Sequence, residues 1–179
     1  MPEITRKTPG APFYAFGDNN IAPTAITIDG THHRVPAKPY KEGKELPEHV
    51  VRELRRGYLA SVAFLDVQVG RVLDQVDDLH LTNDTVIIFT SDHGYGIGER
   101  GHWGKGSLYE IDARVPLIVR DPHYRHMWGK STNALVELVD LYKSVIDLAH
   151  LPFGRNMYQW LEGKSWRSIV ESGQGGNSH

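Results

Sequence analysis

Four consecutive residues, Ser91-Asp92-His93-Gly94, concentrate the chemistry of this sequence. Asp92 offers a hard oxygen donor and His93 a nitrogen donor, a pair suited to a divalent cation. Gly94 lets the backbone turn away at once. Arg100, His102 and Lys105 follow within thirteen positions of Asp92 and bring positive charge to the same stretch. Lysine is a point-charge partner for a tetrahedral anion, and arginine can clamp one bidentately. Two readings fit these residue types. One is a site for a cation and an anion. The other is a polar turn that caps a strand, with Glu99 paired to Arg100 or Lys105. Trp103 is expected to pack the loop down rather than touch a ligand.

The remaining histidines carry weaker signals. His32 and His33 are adjacent, so they lack the spacing of a helical metal pair. His123 and His126 have no HExxH-type surroundings and read as surface residues. His150 falls at a helix end, where it can meet the negative pole. Asp66, Asp74, Asp77 and Asp78 read as the solvated face of a helix. Asn83-Asp84-Thr85 matches a glycosylation sequon, a triplet that also arises by chance.

The elements that must position Asp92 and His93 follow from periodicity. Pro47 and Glu48 suit a first helical turn. Leu54, Tyr58, Val62, Leu65, Val69, Leu73 and Val76 then recur at three- and four-residue steps, which predicts one long helix or two abutting ones over 47–79. Gly57 and Gly70 weaken that helix, or mark a close neighbour. Val86–Phe89 is a continuous apolar run of the buried-strand type that ends at Ser91 and Asp92. A glycine-rich loop over 94–114 leads to a second run, Val115–Val119. Thr132 or Asn133 is placed to cap another helix, whose apolar face is Leu135, Leu138, Leu141, Tyr142, Val145, Ile146 and Ala149. Trp160, Leu161, Trp166 and Ile169 suggest a short packed element. Helix beside short strands predicts an α/β layering with a mostly parallel or mixed sheet, and ligands in such sheets gather outside the carboxyl ends of strands.

Composition bounds the rest. The 179 residues are 40% hydrophobic and 23% charged, with a formal net charge of −2. That suits a soluble globular domain and gives no electrostatic footprint for nucleic acid. No apolar run reaches the length of a membrane span, and the first residues do not form a signal peptide. With no cysteine, disulfides, thiolate metal sites and a cysteine nucleophile are excluded for these residues. The expected organisation is an irregular Pro/Gly-rich segment over 1–46, a partial catalytic-type domain over 47–170 and a flexible tail over 171–179.

The segments YLASVAFLDVQVGRVLDQVDDLHLTNDTVIIFTSDHG and GERGHWGKGSLYEIDARVPLIV resemble the sulfatases of the alkaline-phosphatase superfamily, most of all the iduronate-2-sulfatase branch. The later VELVDLYKSVIDLAHLP and LEGKSW segments extend the likeness to roughly residues 47–168. The resemblance implies a partial alkaline-phosphatase/sulfatase-like α/β sandwich, equivalent to the C-terminal part of the catalytic domain. It places Asp92 and His93 as two ligands of an active-site calcium ion. It places Lys105 as the lysine that contacts the sulfate group and the leaving oxygen. The implied substrate is a sulfated glycosaminoglycan sugar or a small sulfate ester. The implied compartment is lysosomal, periplasmic or secreted.

The sequence departs from the family at the nucleophile. Family members use a formylglycine made within a Cys/Ser-x-Pro motif. Here there is no cysteine, and none of the ten prolines has a serine two residues before it. The paired upstream metal-binding aspartates have no visible equivalent. The chain is therefore expected to be inactive alone, with formylglycine only in a longer parent and the missing N-terminal part of the domain as a partner. The alternatives are a non-catalytic sulfatase-like protein that binds metal or a partner, and a phosphatase-type member of the superfamily.

Overall fold

The computed structural model describes residues 25–28, 31–34 and 46–173. In chain order the elements are β1 (Ala25–Ile28), β2 (Thr31–Arg34), α1 (Glu48–Asp78), β3 (Ile87–Thr90), β4 (Gly96–Ile97), β5 (Trp103–Gly104), α2 (Glu110–Ala113), β6 (Leu117–Arg120), α3 (Leu141–Leu148), α4 (Arg155–Trp160) and α5 (Arg167–Ser172). Three short 3₁₀ segments lie at Glu99–Gly101, Pro122–Met127 and Leu138–Asp140. Of the N-terminal segment expected to be irregular, β1 and β2 form an antiparallel hairpin. The rest of it up to residue 45, and residues 174–179 of the expected tail, lie outside the described residues.

The chain divides into two compact units, residues 1–71 with 91–116, and residues 72–90 with 117–179. In the first unit the small core is Val51 against Trp103, flanked by Leu46, Leu54 and Ile97. β4 and β5 pair antiparallel, Gly96 opposite Gly104 and Ile97 opposite Trp103. The Arg55 side chain donates to the Ile97 carbonyl at 2.9 Å, and Tyr58 stacks on Tyr95 with ring centres 5.7 Å apart. The N-terminal part of α1 thereby holds the 95–97 stretch in place. Trp103 is buried, as its expected packing role requires.

α1 is a single continuous helix, with Gly57 and Gly70 inside it. Neither glycine faces a close neighbour among the described residues. The helical periodicity is real, but its apolar stripe is mostly uncovered. Val62, Leu65 and Leu73 are exposed, and Val50 and Val51 are the buried residues of the helix.

In the second unit β3 pairs with β6, Ile88 opposite Val119 and Phe89 opposite Ile118. Both apolar runs are strands, as their composition predicts. Among the described residues every ladder is two-stranded and antiparallel, so the parallel pairing considered from the sequence is not the one observed there. The physical reason lies in the connection. A parallel return needs a crossover of about a dozen residues, usually a helix, and between β3 and β6 the helices are only the 3₁₀ turn Glu99–Gly101 and the four-residue α2.

The helix expected from Thr132 or Asn133 begins later, at Leu141. Thr132 Oγ1 accepts the Ala134 N–H in a local turn. Glu137 and Asp140 instead form a reciprocal capping box, each side chain taking the other's end of the turn. Asp140 also accepts the Lys164 N–H at 2.7 Å and the Trp166 indole N–H at 3.4 Å. Ser144 donates to the Asp140 carbonyl and accepts the Trp166 N–H. Leu148, Ile146 and Trp166 are buried around this knot. α3 ends with His150 in the left-handed region at φ 51° and with the Leu151 N–H bonded to the Ile146 carbonyl. That is a Schellman ending without glycine.

Candidate active site around Asp92, His93 and Lys105

β3 ends at Thr90, and the chain turns through Ser91, Asp92 and His93. Ser91 donates to the His93 carbonyl at 2.8 Å, and Asp92 Oδ1 accepts the His93 N–H at 3.0 Å. Both are local side-chain turns of the kind serine and aspartate favour. Gly94 follows with its N–H on the Asp112 carbonyl at 2.8 Å. A Cβ at Gly94 would lie 1.8 Å from the Ile111 carbonyl oxygen. Only glycine permits that approach.

The His93 ring is oriented at both nitrogens. Nδ1 lies 2.8 Å from the Gly94 carbonyl, which can only accept, so Nδ1 carries the proton. Nε2 then presents its lone pair, and Lys105 Nζ donates to it at 2.5 Å. Asp92 Oδ2 lies 3.3 Å from the same Nε2. Gly104 and Gly106, at φ 96° and 91°, flank Lys105 and turn the chain on either side of it. The sequence thus predicted three site residues, and the fold gathers all three at one point.

The electrostatics agree with a cationic locus. The Asp92 carboxyl lies below its ordinary pKa. Partial desolvation pushes it up, but the His93 ring and N–H, its own amide and the Lys105 charge together pull it down by more. Its side chain remains 81% exposed, so it is open to a ligand.

Asp92 and His93 fit part of a calcium shell. Two donors 3.3 Å apart match neighbouring ligands on one ion, since calcium–oxygen distances run about 2.3–2.6 Å. Calcium takes about six to eight donors, and among the described residues no group of three or more His, Cys, Asp or Glu is placed to hold a metal. The residues described here can supply two ligands and a neighbouring ammonium group.

The other basic residues of the loop sort differently from the sequence expectation. Arg100 lies over the Tyr109 ring, 5.3 Å from its centre. Glu99 accepts the Ile97 N–H at 2.7 Å instead of pairing with Arg100 or Lys105. His102 is fully buried and bonds the buried Asp112 carboxylate. Asp112 carried no sequence signal, because its link to His102 spans ten residues that share no single helix or strand. His123 is half-exposed and held by Asp121 at 2.8 Å, with its ring edge-on to His150.

The sulfatase family model matches residues 16–151. The chain belongs to the sulfatase family. Iduronate 2-sulfatase of Homo sapiens is 49% identical over 103 residues, covering 58% of this chain and 19% of that protein. The Mus musculus iduronate 2-sulfatase is 40% identical over 130 residues, covering 60% of this chain and 24% of that protein. A choline-sulfatase of Rhizobium meliloti is 42% identical over 129 residues, covering 70% and 24%. This sulfatase chain therefore spans about a fifth to a quarter of the length of those relatives.

Solved structures agree on the fold. BT4656 in complex with D-glucosamine-2-N,6-O-disulfate matches with a TM-score of 0.58 at 30% identity, covering 64% of this chain and 22% of that one. The phosphonate monoester hydrolase of Agrobacterium radiobacter matches with a TM-score of 0.57 at 26% identity, covering 66% and 23%. The α/β class, a partial alkaline-phosphatase-like domain, holds on these grounds.

Proposed function

We propose that this sulfatase chain supplies the calcium- and sulfate-facing residues of an iduronate-2-sulfatase-type active site, in a protein that hydrolyses sulfate esters of glycosaminoglycan sugars. One observation carries the reading: Lys105 Nζ meets His93 Nε2 at 2.5 Å beside the Asp92 carboxylate. A cation-binding pair and an ammonium group converge where charge on a sulfuryl group needs stabilising. The resemblance to iduronate 2-sulfatases over the same residues supports the substrate class, as does the disulfated glucosamine held by the structural relative.

Asp92 and His93 Nε2 would be two calcium ligands, and a bound calcium would polarise the sulfate oxygens. The depressed Asp92 carboxyl keeps that ligand ionised. The Gly94 carbonyl holds the proton on His93 Nδ1, so Nε2 stays a donor to metal. Lys105 swings from His93 to the sulfate group and the leaving oxygen. The formylglycine nucleophile has no Cys or Ser-x-Pro to arise from in these 179 residues, so the chain alone is proposed not to turn over.

Calcium titration of the 179-residue chain tests this, read from the Asp92 and His93 side-chain resonances by NMR. Wild type should respond with an affinity on the order of millimolar or tighter, as in exposed calcium modules. Asp92→Ala should lose the response. Equal calcium binding by both proteins, or none by wild type, would overturn the assignment. Hydrolysis of a sulfate ester by the pure chain would overturn the inactivity.

A further inference from the structure

We propose that the buried His102–Asp112 pair is a positioning device that sets the approach of Lys105 to His93. The inference rests on the reading above only for what the site does; the positioning stands on its own geometry.

Asp112 grips the chain at three points around the site. Its carbonyl accepts the Gly94 N–H at 2.8 Å, one residue after His93. Its carboxylate accepts the Ser107 N–H at 2.6 Å, two residues after Lys105. His102, three residues before Lys105, donates from Nε2 to the same carboxylate at 3.0 and 3.2 Å. One residue thus clasps the His93 side through its backbone and both flanks of Lys105 through its side chain. The 2.5 Å meeting of Lys105 and His93 spans the gap that this clasp closes.

Packing alone does not call for an imidazole there, although the ring lies edge-on to Tyr109 with ring centres 6.5 Å apart. It is fully buried, and a Cβ on Gly96 would lie 2.2 Å from its Cδ2, so the ring fills the space under β4. Its Nδ1 is buried with no hydrogen-bond partner among the described residues. An apolar side chain would fill that space without stranding a polar atom. Nor is a buried carboxylate–imidazole pair an efficient source of stability, since apolar replacements are often neutral or better. What the ring supplies is one directed N–H, aimed at the carboxylate that holds Ser107. His102 and Asp112 are positioning residues; nothing places them in contact with substrate.

The test uses the ¹⁵N-labelled 179-residue chain. Long-range ¹H–¹⁵N spectra of the His93 ring should show Nδ1 protonated and Nε2 bare in wild type. His102→Leu keeps volume and removes the donor; the two His93 nitrogen shifts should move towards averaged values. His102→Gln can still donate to Asp112 and should restore the wild-type pattern. Backbone spectra report the fold. Should His102→Leu fail to fold, Asp112→Asn, which keeps size but not both acceptor oxygens, is read the same way and should lose the pattern.

An unchanged His93 pattern in the folded His102→Leu or Asp112→Asn variant would overturn the proposal. A His102→Gln variant no better than His102→Leu would also overturn it, because the ring would then matter only as packing. No calcium binding by wild type, together with the His93 changes in the variants, would sink the metal reading and uphold the positioning.

Discussion

Asp112 and Asp140 are both buried carboxylates that tie distant backbone together, yet their donors give them different consequences. Asp140 accepts the Glu137 and Lys164 N–H groups at 2.9 and 2.7 Å and the Trp166 indole at 3.4 Å. Every donor belongs to the scaffold of α3 and the 164–166 segment. Asp112 accepts from Ser107 and His102, which flank a partly buried lysine that reaches a candidate metal ligand. A carboxylate satisfied by its own scaffold stabilises a fold. A carboxylate whose donors bracket a reactive side chain fixes a geometry. The two can be separated by experiment, because each lies in its own compact unit.

Asp140→Ala is the largest blow the comparison predicts. It strands two partly buried amides and a buried indole, and should cost about 1–3 kcal/mol of unfolding free energy, read from urea denaturation. The His93 ring resonances of the variant should match wild type under native conditions. A loss of stability smaller than about 1 kcal/mol would make the Asp140 knot decorative.

The same residue predicts a pH dependence. Burial raises the Asp140 carboxyl, but the Glu137 and Lys164 amides, the Trp166 indole and the Lys164 charge lower it by more. Its folded pKa therefore lies below the unfolded value of about 4. As pH falls, the unfolded chain takes up this proton first. The stabilisation is complete above that unfolded value and drains as pH falls through the folded one. Denaturation midpoints measured from about pH 6 down to about pH 3, which brackets the ordinary carboxylate range, should fall more steeply in wild type than in Asp140→Asn. Equal slopes would assign the acid sensitivity to other carboxylates.

Lys105→Ala should reverse the pattern. Stability should change by no more than about 0.5 kcal/mol, as for a substitution outside the core. The Asp92 carboxyl should rise towards its ordinary value, because one of the charges that lower it is gone. A ¹³C titration of the Asp92 carboxyl reads that shift directly. An Asp92 titration indifferent to Lys105 would mean the two do not share a site.

These contrasts also explain what the sequence could and could not reveal. α1, β3, β6 and the Asp92–His93 turn are written in local pattern: a helical period, two apolar runs and a Ser-Asp-His-Gly exit. The antiparallel sense of β3 and β6 depends on the connection between them. The late start of α3 reflects competition between two capping choices, Thr132 with its own local turn and Glu137 with Asp140. His102 looked like loop charge because its partner, Asp112, is recognisable only once the loop has closed. Lys105 was singled out by its charge in the loop and by family likeness, and its distance to His93 was legible in neither.

The one predicted gain in stability concerns glycines with and without a structural reason. Gly94 is required by the Ile111 carbonyl, whereas Gly57 and Gly70 sit inside α1 with nothing within 4 Å of an added Cβ. Each should gain about 0.5–1 kcal/mol on substitution by alanine, which has the higher helix propensity and a less flexible unfolded state. Thermal unfolding of Gly57→Ala and Gly70→Ala should show small upward shifts with the His93 ring unaltered. A loss of stability at Gly70 would mean that a side of α1 with no close neighbour among the described residues is in fact tightly covered. That outcome would reassign its exposed Leu59, Val67 and Leu73 from open surface to an occupied interface.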